Sequence, residues 1–119
     1  MPSAATANDP GIPDAFVEYL RSKARRGELA TYMEVAPSLG IDTGNEYFGI
    51  HVGRVLDALN RWEFRQSRPL LSAIVVSAES GQPGSGYYGC ARDLRRYRGN
   101  DFEEWAMEVG RVYDYWSRH

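Results

Sequence analysis

The strongest constraint on the fold of this chain is Leu70–Val76, LLSAIVV, an apolar run whose last three residues are consecutive and β-branched. That pattern predicts a strand. It runs into SAESGQPGSG (Ser77–Gly86), small residues punctuated by Gly and Pro, which predicts an exposed tip carrying Gly81, Gln82, Gly84, Ser85 and Gly86. Tyr87–Tyr88 then supplies the return strand. A two-stranded hairpin is not stable by itself and must lie against helices. The remainder of the chain therefore has to provide a helical cover.

Helical patterns are present on both sides. Pro13 or Asp14 to Arg26 predicts a first helix, with Asp14 as cap, Phe16, Val17 and Leu20 as the apolar side, and Gly27 as stop. TYME (Thr31–Glu34) fits a capping box that opens a second helix, which Pro37 shortens into a bend or 3₁₀ turn before Gly40. Phe48, Val52, Val55, Leu56, Leu59 and Trp62 recur at helical spacing and predict a longer helix from Tyr47 to Gln66. A basic helix is expected around Cys90–Arg98. The last helix, Asp101 to Trp116, takes Asp101 as cap and turns Phe102, Trp105, Val109, Val112, Tyr113 and Trp116 inward. Residues 1–12 read as a flexible tail and 13–119 as one domain. Three helices followed by a hairpin is the winged helix-turn-helix order. The expected fold is thus α+β and winged-helix-like, with an aromatic C-terminal helix over the hairpin.

Size and composition bound the rest. A chain of 119 residues suits a single core. No apolar run is long enough to span a bilayer, and the N-terminus lacks the basic start and apolar stretch of a secretory signal. The single cysteine, Cys90, leaves no intramolecular disulfide, so a cytoplasmic protein without membrane contact is expected. The net charge of −2 conceals an uneven distribution. Residues 1–50 carry seven acids and four bases, residues 51–98 four acids and eight arginines, and residues 99–119 five acids and two arginines. Positive charge is gathered in the middle.

Thr31–Gly89 resembles the DNA-binding domain of the O6-alkylguanine-DNA alkyltransferases and alkyltransferase-like proteins. The likeness rests on TYMEVAPSLGI, on HVGRVLDAL as an Arg-bearing recognition helix, and on the position of RPLLSAIVVSAESGQPGSGY. It implies a winged-helix scaffold and DNA contact, with Arg54 the foremost contact residue. It does not imply alkyl transfer, because no Cys or His stands between Leu70 and Tyr88; only Pro69 of the active-site motif is kept. A closer resemblance is to small uncharacterised bacterial proteins that share the Pro-Leu-Ser-Ala-Ile-Val-Val and Gly-x-Pro-Gly-x-Gly pattern, and many of which close as this chain does in RVYDYW. That family brings no established activity.

Two basic groups follow as candidate nucleic-acid contacts. His51, Arg54, Arg61 and Arg65 share one helix stripe, and Arg92, Arg95 and Arg96 lie among Tyr87, Tyr88 and Tyr97. The competing reading is a solvated helix face on which Asp57 and Glu63 pair some of the arginines. Catalytic options are few: Ser72 and Ser77 have no base nearby in sequence, and His51, His119 and Cys90 make a poor metal set. No cofactor is implied. The sequence therefore points to a non-catalytic DNA-binding protein, with a protein-interaction module on the same scaffold as the alternative.

Overall fold

The computed structural model describes residues 11–94 and 99–119. Residues 1–10 of the expected tail, and Arg95 and Arg96, lie outside the described residues.

Helix α1 (Asp14–Arg25) buries Phe16, Val17, Leu20 and Ala24 and ends at Gly27, whose φ of +67° only glycine adopts freely. Pro13, not Asp14, occupies its cap position and makes no side-chain cap. The two-residue strand β1 (Ala30–Thr31) leads into α2 (Tyr32–Val35). There the expected capping box forms in full: Glu34 N donates to Thr31 Oγ1 at 3.1 Å, and Thr31 N donates to Glu34 Oε1 at 3.0 Å. Pro37 turns the chain into a 3₁₀ turn at Ala36–Leu39, and Gly40 closes it with φ +72°. Helix α3 (Phe48–Arg65) buries Val52, Leu56 and Leu59.

The strand-and-hairpin expectation is overturned from Leu70 onward. Leu71–Ile74 is a 3₁₀ turn, and only β2 (Val75–Val76) is extended. β2 pairs with β1 in parallel, Ala30 opposite Val75 and Thr31 opposite Val76. Tyr87 and Tyr88 belong to helix α4 (Ser85–Asp93), so there is no return strand and no wing. Of the five residues assigned to the tip, Gly84 caps α4, Ser85 and Gly86 lie inside it, and Gly81 and Gln82 remain in the connecting loop. The molecule is a mainly helical assembly, not a winged helix.

The physical reason lies in what surrounds the run. Every residue from Leu70 to Val76 is buried, beneath α1, α3 and the last helix, α5 (Asp101–Ser117). Helix side chains satisfy the backbone groups that a hairpin partner would otherwise engage. Leu70 N donates to the buried Glu108 carboxylate at 2.8 Å, and Trp105 Nε1 donates to the Ala73 carbonyl at 2.8 Å. Ser72 N donates to Asn60 Oδ1 at 3.4 Å. Buried backbone must find partners somewhere, and here α3 and α5 supply them. Trp105, Val112 and Trp116 face inward on α5 as expected, but Phe102 is 53% exposed and the cap is Asn100, which accepts from Glu103 N.

Candidate binding cleft

Helix α4 starts where Tyr87, Cys90, Ala91 and Leu94 fall at helical spacing, with the first three buried. Its cap residue is tied across the molecule: Gly84 N donates to Tyr32 Oη at 2.7 Å. A Cβ at Gly84 would stand 3.3 Å from that oxygen, so the close approach suits glycine. Between α3 on one side and α2, the Ser77–Glu79 loop and the start of α4 on the other lies a cleft of about 930 Å³. That size matches small-molecule sites.

The floor is polar but largely self-satisfied. Asn60, Ser72 and Cys90 are only 1%, 2% and 3% exposed. The Cys90 thiol donates to the Asp57 carboxylate. Burial pushes Asp57 upward, but hydrogen bonds from Arg61 and Cys90 outweigh it and hold the carboxyl below its usual range. Burial first, and the neighbouring Asp57 second, push the Cys90 thiol up to about 12. A thiol held neutral in this way is a poor nucleophile. The walls are apolar: Phe48, Leu56 and Tyr87 line them, with Met33 and Ile50 at 59% and 56% exposure.

The basic stripe on α3 forms, but its charges have different fates. Arg61 sits between two carboxylates, with Nε 2.9 Å from Asp57 and Nη2 3.0 Å from Asp93 on α4. Arg68 pairs with buried Glu63 at 2.7 Å. These are the two acids expected to quench the stripe. Arg92 pairs with Asp101 at the start of α5. His51, Arg54 and Arg65 are exposed and form no ion pair among the described residues. Arg54 alone of these lines the cleft. The second arginine group is thus represented among the described residues by a neutralised Arg92.

Sequence reasoning missed the cleft itself and its floor. Nothing near Cys90 in sequence points to Asp57, Asn60 or Ser72. The i, i+3, i+4, i+7 spacing from Tyr87 to Leu94 was the available sign that this segment turns a helical face inward. No group of His, Cys, Asp and Glu among the described residues is arranged to hold a metal ion. No helix among the described residues is long and apolar enough to cross a membrane. No protein-family model, curated protein or solved structure matches the chain.

Proposed function

We propose that this protein is a non-catalytic binding module that takes the apolar body of a small ligand into the cleft between α3 and the start of α4. The observation that carries the reading is the depth of that cleft: exposed Met33 and Ile50 on its walls, and nearly inaccessible Asn60, Ser72 and Cys90 at its floor. Apolar walls with a few placed polar groups are the general character of ligand sites. The neutral Cys90 thiol supports binding without chemistry. This reading replaces the expected protein-interaction module on a winged-helix scaffold: the scaffold is a different one and the occupant is a small molecule. The reading sets the protein in the cytoplasm, where an unbridged thiol stays reduced.

The test is a titration with 1-decanol followed by amide chemical shifts. Shifts should gather on Met33, Ile50, Gly53, Ser72 and Tyr87. A Gly53→Phe variant plugs the cleft, since a side chain there leaves the backbone into open space. It should keep the fold and abolish those shifts. Shifts scattered over the surface, or unchanged by the plug, would defeat the reading.

One observation favours a second reading, nucleic-acid contact: His51, Arg54 and Arg65 form a row along α3 with no ion pair among the described residues. Against it stand Arg61 and Arg92, both held by aspartates. Phosphate contact by three cations predicts weak duplex binding that fades steeply with salt. Anisotropy of a labelled duplex at about 50 and 200 mM salt decides it, and no binding at the lower concentration ends it.

A further inference from the structure

We infer that the ligand of the cleft is an apolar monoanion, an aliphatic or aromatic body with one carboxylate-like head, whose charge is met by Arg54. This deepens the binding reading above and rests on it. The argument is one of charge complementarity. Three charged residues line the cleft, Arg54, Asp57 and Glu79, and Asp57 is already committed: it accepts from Arg61, which lies outside the lining and is shared with Asp93, and from the Cys90 thiol. Arg54 lines the same cleft from α3, is exposed, and has no acidic partner among the described residues. It sits one helical turn from Ile50, so a head held by its guanidinium leaves the tail beside the apolar wall. The planar donors of an Arg guanidinium can grip both oxygens of a carboxylate at once. Glu79 contributes an exposed carboxylate on the facing loop, whose repulsion grows with the charge of the head and so weighs against a multiply charged one.

The experiment uses three probes with the same ten-carbon tail: decanoate, 1-decanol and decyltrimethylammonium. Each is titrated by calorimetry and amide shifts into the wild type, Arg54→Gln, Arg54→Lys and Arg118→Gln. The last is a charge control at the C-terminal end of α5, outside the cleft. Decanoate should bind about tenfold more tightly than decanol, as expected for one partly desolvated charged hydrogen bond. Arg54→Gln should erase that advantage and leave decanol unchanged, Arg54→Lys should keep part of it, and Arg118→Gln should alter nothing. Equal binding of decanoate and decanol, the same loss in Arg118→Gln, or preference for the ammonium would overturn the anion inference while leaving the cleft reading in place. Failure of all three probes to bind in the cleft would overturn both.

Discussion

At the scale of single residues, Cys90 shows how a side chain that looks reactive is made inert. Its sulfur lies against the ligand cleft, yet burial and the hydrogen bond to Asp57 hold the proton in place. The thiol rises from its ordinary value of 9.0 to about 12. The folded state therefore keeps a proton that the unfolded chain releases at lower pH. Stability from this group is complete below about pH 9 and falls as pH climbs toward about 12. Two measurements check this. Alkylation of the native protein by iodoacetamide at pH 8 should be slow and become fast on unfolding. A Cys90→Ala variant should show a flatter loss of stability between pH 9 and 11 in urea titrations. Rapid native alkylation would show that burial and Asp57 together do not hold the proton on the thiol. The same scale shows where sequence reasoning stopped. The pairings of Asp57 with Arg61 and Glu63 with Arg68 lie within one helix and its exit loop and were foreseeable from spacing. Asp93 and Asp101, which also capture arginines, stand 32 and nine residues from their partners, and only the tertiary fold brings the first of them to α3.

At the scale of elements, local rules held where local chemistry decides. The Thr31–Glu34 capping box, the Pro37 turn and the Gly40 stop were all legible because each depends on a few neighbouring residues. The box supports a helix of only four residues, so it matters more here than in a long helix. Thr31→Ala should cost about 1 kcal/mol in chemical denaturation and loosen the contact of Tyr32 with Gly84. Thr31→Ser should restore most of the loss. A Thr31→Ala protein as stable as the wild type would show that packing alone fixes α2. The run Leu70–Val76 was misread because short apolar segments carry no periodicity when every side is buried. Its β-branched end does form a strand, but its hydrogen-bonding partners are side chains from α3 and α5 and a parallel strand far upstream. None of these is adjacent in sequence.

At the scale of the whole molecule, the uneven charge seen along the chain is evened out by folding. Arginines of the middle segment meet acids within it and at the start of α5. Most of these pairs are partly exposed, and such pairs contribute little each and are screened by salt. Raising salt from about 0.05 to 0.5 M should therefore change unfolding free energy by less than about 1 kcal/mol. A larger fall would mean that the surface network, rather than the apolar core, holds α3, α4 and α5 together.

The parallel pairing of Ala30 with Val75 and Thr31 with Val76 spans about 45 residues of chain with only two residue pairs. So short a clasp repays little of the entropy lost in closing a loop of that length, so its position rests on the packing of α1, α3 and α5 around Leu71–Ile74. Thr31 and Ser77, at either side of the clasp, are also lips of the cleft. A local opening that parts these two strands would therefore widen the mouth of the cleft while the helices beneath it stay packed.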